Sequence, residues 1–161
     1  MNEQNQINQQ NTSHDHNDHT TSSLIHLSSL ASLIKFAIPI PFLSILFPLV
    51  LWQSLKKESE FINHHGKEAV NFNMSFLLYN FLLGVGAFIM VGATVFNAIR
   101  LENIDGPMEI INLLLTTGGF VSILVVFGVL SLLKIVFIIL ATIKAGQGEW
   151  YRYPMTIRFI K

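Results

Sequence analysis

Residues 74–99 read MSFLLYNFLLGVGAFIMVGATVFNAI, and this stretch decides the fold class. It contains no charged residue. As an α-helix rising 1.5 Å per residue it would be roughly 39 Å long, whereas the hydrocarbon core of a bilayer is about 30 Å thick. A helix also satisfies its own backbone hydrogen bonds, as lipid requires. The stretch therefore predicts an all-α integral membrane protein.

Two further apolar segments are predicted to cross the membrane. Residues 120–143 form the later one, and Gly118-Gly119 is expected to separate it from a short helix over residues 108–117. Residues 36–55 form the earlier one. The expected fold is therefore a helical bundle with three transmembrane helices.

The chain before the first span is polar and then amphipathic. Residues 1–23 are rich in Asn, Gln and His, so they bury too little apolar surface to fold and are predicted to form a disordered tail. Residues 24–37 place Leu27 on an apolar face, which predicts an amphipathic helix. If residues 24–55 instead form a re-entrant hairpin, the chain has four membrane segments. In either arrangement residues 24–161 make one multi-pass membrane domain.

Composition excludes several classes of function. Ten basic residues balance ten acidic ones, so the chain lacks the basic excess of a nucleic-acid-binding protein. It has no cysteine, which excludes disulfides, thiolate nucleophiles and Cys-based metal sites. No nucleophile elbow, zinc-protease, P-loop or dinucleotide-binding motif is present. We therefore expect neither an enzyme nor a bound cofactor.

The polar N-terminal tract invites one metal-binding reading. Its imidazole and carboxylate groups could bind a transition metal, and they are His14, Asp15, His16, Asp18 and His19. A flexible tail would lose conformational entropy on binding, however. A solvated polar tract is the preferred interpretation, and no metal site is predicted.

The distribution of basic residues predicts the orientation. Loop 56–70 carries three lysines and the tail 144–161 carries four basic residues, whereas loop 100–109 carries only Arg100 against three acids. Short loops rich in Lys and Arg stay in the cytoplasm. Loop 56–70 and the C-terminus are therefore predicted to face the cytoplasm, with the protein in the bacterial cytoplasmic membrane.

Several blocks of the sequence resemble a known family. The blocks are residues 26–28 (HLS), 48–52 (PLVLW), 65–72 (HGKEAVNF), 144–149 (KAGQGE), 151–154 (YRYP) and 157–160 (IRFI). Their order over residues 24–161 resembles a bacterial family of unknown function in the Tic-twenty-like group, named after a chloroplast protein-import component. The resemblance implies a small multi-pass membrane protein without an assigned enzyme activity. A role in moving proteins across a membrane is not carried over, because kinship of fold is weak evidence for function.

Polar residues cluster just before the central span. His65, Lys67, Glu68 and Asn71 lie there, and two readings compete. In one, His65 and Glu68 act as acid/base or partner-binding groups. In the other, which we favour, Glu68 and Asn71 anchor the start of the helix. We further expect this region to pack against Tyr151-Arg152-Tyr153-Pro154, with Arg152 paired to Glu68 or Glu149.

Lys134 is unusual because it interrupts an otherwise apolar segment. A lysine in the middle of a membrane costs roughly 2.5–3.5 kcal/mol on insertion scales. It either marks a functional site, with Tyr79, Asn80 or Asn97 as partner, or snorkels towards the interface along its flexible stem.

The leading hypothesis is a non-enzymatic membrane protein that acts by assembling with itself or with other membrane proteins. Glycine and alanine in the central span favour close helix contact. The alternative is a small pore or protein-translocation component lined by Lys134, Asn80 and Asn97. A membrane enzyme without a recognisable motif is the third reading.

Overall fold

The computed structural model describes residues 3–30, 43–100 and 106–161, and every regular element in them is an α-helix. Helix α1 spans Glu3–Ser28, α2 Leu43–Leu55, α3 Glu60–Arg100 and α4 Pro107–Gly146. The tail from residue 147 to 161 follows α4 without regular secondary structure. The predicted all-α class is confirmed.

The ends of the long helices follow from local sequence signals. Ser59 caps α3, because its Oγ accepts a hydrogen bond from the amide of Ile62 at 3.1 Å. Pro107 occupies the first position of α4, where a missing amide hydrogen does no harm. Helix α4 ends in a Schellman arrangement in which Gly148 (φ 75°) bonds Ala145 and Glu149 bonds Lys144.

The helices divide into two compact units. The first, called here the packed unit, contains the residues up to Phe76 and those from Lys134 onwards. Its core is built from Ile25, Ile62 and Ala69, against which α2 packs Leu51 and Leu55. This unit holds the buried side chains of α1 and α2 and the docked tail.

The second unit, called here the apolar pair, is Leu77–Leu133 and contains parts of α3 and α4. Its two helices meet at glycines: a Cβ on Gly86 would lie 3.5 Å from Ile123, and one on Gly119 would lie 3.2 Å from the sulfur of Met90. Most of its large side chains are exposed, Phe88 to 81%. Such an apolar surface is expected to be covered by lipid. By length and composition, α3 and α4 can each cross a membrane.

Two sequence predictions about the spans need correction. A third transmembrane helix is not confirmed, because α2 has only 13 residues, or about 20 Å, less than the thickness of a bilayer core. Residues 36–42 of that segment lie outside the described residues. The expected break at Gly118-Gly119 was wrong, because α4 runs through both glycines. Gly119 packs on Met90 there, so the pair serves helix contact and does not end the helix.

The N-terminal region also differs from the expectation. The predicted disordered tract is helical from Glu3. Its C-terminal half docks through buried Ser22, Ile25, His26 and Ser29, while Leu27 is 45% exposed. The face of α1 that is buried therefore differs from the face with Leu27 that the sequence predicted to be apolar. Hydrogen bonds from this buried face to α3, described below, explain the difference.

Candidate functional site

The candidate site is the polar face of α3 that holds the C-terminal tail. His64, Glu68, Asn71 and Ser75 are four, three and four residues apart, a spacing that places them on one side of a helix. Each of them bonds to the backbone of the tail. The sequence predicted a loop over residues 56–70, but α3 already begins at Glu60, so most of this region is helical.

Asn71 is the most heavily used side chain of this face. Its Oδ1 accepts hydrogen bonds from the amides of Phe159, at 3.1 Å, and Ile160, at 2.8 Å. Its Nδ2 donates to the carbonyl oxygen of Ile160 at 2.8 Å. A carboxamide offers both a donor and an acceptor, so one buried side chain fixes the end of the tail.

Ser75 fixes the tail further along α3. Its Oγ accepts the amide of Ile157 at 2.8 Å and donates to the carbonyl of Asn71 on its own helix at 2.8 Å. Ser75 is fully buried. The hydroxyl thus satisfies a tail amide that would otherwise lack a partner, and such an amide is costly to bury.

Glu68 bonds the tail backbone and not a side-chain cation. Its Oε2 accepts the amide of Tyr153 at 3.2 Å, which confirms the predicted packing against residues 151–154. The predicted pairing of Arg152 with Glu68 or Glu149 was wrong. In the described part of the chain Arg152 is exposed and forms no ion pair, while Glu149 pairs with Lys144. The Tyr153 amide reaches the buried carboxylate directly, so no guanidinium is needed there.

A buried hydrogen-bonded chain joins the tail to α1 and α3. The Oη of Tyr153 lies 2.9 Å from Nδ1 of His26, and Nε2 of His26 lies 2.7 Å from Nδ1 of His65. The ring of Tyr153 also stacks on Phe72, with centroids 3.9 Å apart. The chain therefore ties three separate parts of the sequence together.

The protonation states of this chain follow from its burial. Burial lowers the pKa of His26 well below its usual value, and His65 and His64 lower it further. Burial raises the pKa of Tyr153 well above its usual value, with Tyr151 and Glu68 adding to the rise. Both groups are therefore neutral near pH 7. The tautomers of His26 and His65 then decide which atom donates in each of these two hydrogen bonds.

Two further observations describe the polar groups of this region. Nε2 of His65 is buried without a hydrogen-bond partner among the described residues. No three His, Asp or Glu side chains in residues 3–30, 43–100 and 106–161 are grouped to hold a metal ion. Chemically, the described side chains hold the tail in place through buried hydrogen bonds.

A shallow surface cavity lies beside the site. It has a volume of about 260 Å³ and is lined by Glu60, Asn63, His64, Lys67 and Trp150. Lys67 thus faces the cavity and not the buried chain. Tyr151 is half-buried nearby, and its carbonyl accepts a hydrogen bond from Nε2 of His64 at 3.1 Å. Burial raises the pKa of Tyr151.

Lys134 lies beside an aromatic ring of α3. Its Nζ is 5.9 Å from the ring centroid of Phe76, within reach of a cation–π interaction. Both residues belong to the packed unit. The side chain of Asn97, one predicted partner, lies outside the described residues, and the functional role of Lys134 stays a prediction.

Several residues of the site escaped sequence reasoning. His26, Asn73 and Ser75 were not among its candidates, although Asn73 bonds Ser29, the residue after α1, at 2.7 Å through Nδ2. The available signal was the helical spacing of polar residues from His64 to Ser75. This spacing can be recognised only if the central helix is taken to begin near Glu60 and not at residue 74.

Comparison with known proteins places the chain in a family. The family model of the magnetosome magnetite crystal formation proteins, MamF/MmsF, matches residues 17–160. No curated protein and no solved structure matches the chain. The match overturns the Tic-twenty-like resemblance, since all the blocks that carried it lie within residues 17–160. Those blocks contain Glu68 and Asn71, which bond the backbone of the tail.

Proposed function

Because the chain belongs to the MamF/MmsF magnetosome magnetite crystal formation protein family, we propose that it takes part in magnetite crystal formation as a non-enzymatic membrane protein. It would act by assembling with itself or with other proteins of the magnetosome membrane. The observation that carries this proposal is the apolar pair, two helices whose large side chains are exposed along most of their length.

Open glycine positions on the apolar pair support assembly. A Cβ built on Gly84, Gly92, Gly118 or Gly128 meets no other atom within 4 Å. Small residues let helices of different molecules approach closely in lipid, where packing drives association. Gly86 and Gly119, by contrast, are already in contact inside the pair.

The polar site supports a non-enzymatic role. The groups with the best catalytic potential, His64, His65 and Glu68, are hydrogen-bonded to the tail backbone or to His26. A general acid or base needs access to a substrate proton. We therefore propose that these residues hold the tail and do not carry out a reaction.

The proposed orientation places the packed unit on the cytoplasmic side. Lys56, Lys57 and Lys67 belong to this unit together with the basic tail. Clusters of basic residues next to membrane segments favour the cytoplasmic side.

The test is complementation in a magnetosome-forming bacterium whose own family member has been deleted. We expect the wild-type chain to restore magnetite crystal size, measured by electron microscopy, and to cross-link into complexes in the membrane. A Gly84→Leu/Gly92→Leu variant should insert but lose both, because leucine blocks close approach. Leu82→Ile/Phe88→Leu is the matched control and should keep both. Normal crystals with no cross-linked complexes would contradict the proposal.

A small pore or translocation component lined by Lys134, Asn80 and Asn97 stays the alternative prediction. It differs in one measurable property, ion or peptide flux in reconstituted vesicles. A flux that falls on Lys134→Leu would favour it over assembly.

A further inference from the structure

The path of the C-terminal tail along α3 is defined by four anchors. The carbonyl of Tyr151 lies at His64, and the amide of Ile157 lies at Ser75, eleven residues further along the helix. This distance corresponds to about 16 Å along the helix axis. The tail then returns, because Ile160 lies at Asn71. It therefore forms a loop whose far point is next to Ser75.

The far point of this loop lies at the start of the lipid-exposed part of α3. Ser75 precedes Leu77 by two residues, and Leu77 begins the stretch with exposed apolar side chains. Before it reaches Ser75 the tail makes a local turn at Pro154-Met155, where Met155 has a φ of 57°.

The exposed side chains of the tail include both large apolar residues and basic residues. Trp150 is 60% exposed, Met155 54%, Ile157 41% and Phe159 46%. Arg152, Arg158 and Lys161 are exposed as well. Residues 150–161 contain these three basic residues and no acid. We call these seven side chains the tail surface.

We infer that the tail surface binds anionic lipid headgroups, with its apolar side chains in the membrane interface and its basic side chains on the phosphates. Tryptophan and other amphipathic side chains favour this depth of a bilayer. Basic residues beside a membrane are attracted by anionic lipids. The charge of the surface therefore selects anionic lipid as its occupant.

Because the buried anchors already order the tail, lipid binding costs the tail little conformational entropy. His64, Glu68, Asn71 and Ser75 already fix the tail backbone through hydrogen bonds. A loop that is ordered before it binds loses little freedom on binding. The inference goes beyond the proposed function, since it holds whether or not the protein acts on magnetite.

Tryptophan fluorescence offers a sharp test, because the chain has only two tryptophans. Trp52 is 5% exposed and buried against α3, whereas Trp150 is 60% exposed. The full chain is placed in nanodiscs containing lipid brominated near the headgroup. The quenching lost in Trp150→Phe then reports Trp150 alone, and the exposed site tolerates this change.

We expect bromolipid to quench Trp150, roughly twofold more in phosphatidylglycerol than in phosphatidylcholine at low salt, since attraction between charges falls with salt. Arg152→Gln/Arg158→Gln/Lys161→Gln should remove the difference between the two lipids. Lys57→Gln, an exposed lysine outside the tail surface, is the control and should keep it.

Three results would overturn the inference. Equal quenching of the wild-type chain in the two lipids would show that charge plays no part. Absence of bromolipid quenching, with Trp150 open to aqueous acrylamide, would show that the surface faces water. Protection from both quenchers would assign the surface to a protein partner or a second copy, and would equally contradict lipid binding.

Discussion

At the scale of single residues, close contacts explain parts of the sequence that motif searches cannot. The ring of Trp52 is buried on Gly66, and its Nε1 donates a hydrogen bond to Asn63 at 3.0 Å. A Cβ on Gly66 would overlap the Trp52 ring. The glycine after His65 is therefore required by packing.

Gly66→Ala should destabilise the protein, because the added methyl group displaces a buried indole ring. Overpacking of this kind costs about 1–3 kcal/mol. The measurement is thermal unfolding in detergent. Gly92→Ala is the matched control, since its Cβ meets nothing within 4 Å, and alanine favours a helix by about 1 kcal/mol over glycine. Equal effects of the two changes would contradict the proposed packing.

Protonation of His26 should destabilise the packed unit in acid. Burial lowers the folded pKa below the ordinary value of 6.5, so the unfolded chain binds more protons. The contribution of His26 is complete above about pH 6.5 and is lost as the pH falls towards the folded pKa. We expect the melting temperature to fall between about pH 7.5 and pH 5.

His26→Gln tests this assignment, because glutamine can accept the Tyr153 hydroxyl and does not titrate. The variant should show a smaller acid-induced fall than the wild type. The fall should not vanish, since burial also lowers the pKa of His65, to about 4. An unchanged fall would show that His26 does not contribute to it.

At the scale of elements, the backbone of the tail is held by side chains of α3 and not by a strand or a helix of its own. Asn71 alone satisfies two amides and one carbonyl of the tail. Each hydrogen bond contributes about 0.5–1.5 kcal/mol, and a buried group left without a partner costs more. We therefore expect Asn71 to contribute more than any other side chain to holding the tail on α3.

Asn71→Ala should release residues 157–160 from α3. We expect faster amide hydrogen exchange at Phe159 and Ile160 and faster tryptic cleavage after Arg158, because local opening exposes the backbone. Asn112→Ala changes an exposed asparagine of α4 and should leave both rates unchanged. Unaltered exchange in Asn71→Ala would show that other contacts hold the tail.

The same scale shows how much could be predicted from the sequence. The uncharged run 74–99 and the apolar run 120–143 identify α3 and α4 as helices long and apolar enough to cross a membrane, because length and composition decide this property. The polar region 56–70 was expected to be a loop, yet it is helical from Glu60. Its polar residues are buried by contact with a tail about 85 residues away in sequence, and such a contact has no local signal.

At the scale of the whole molecule, the chain combines a hydrogen-bonded packed unit with a pair of helices that expose apolar surface. The packed unit explains the sequence blocks that first suggested another family. The apolar pair explains the low charge content, since only 12% of the residues are charged. The proposed role in magnetite formation depends on this pair being in a membrane.

The most direct test of membrane placement uses the absence of cysteine from the chain. Single cysteines are introduced at Phe88, which is 81% exposed on the apolar pair, and at Lys57, an exposed residue of the packed unit. Both variants are labelled in opened native membranes with a charged maleimide, which reacts with a thiolate in water. The account predicts rapid labelling at position 57 and labelling at position 88 only after detergent denaturation. Equally rapid labelling at both positions in intact membranes would contradict it.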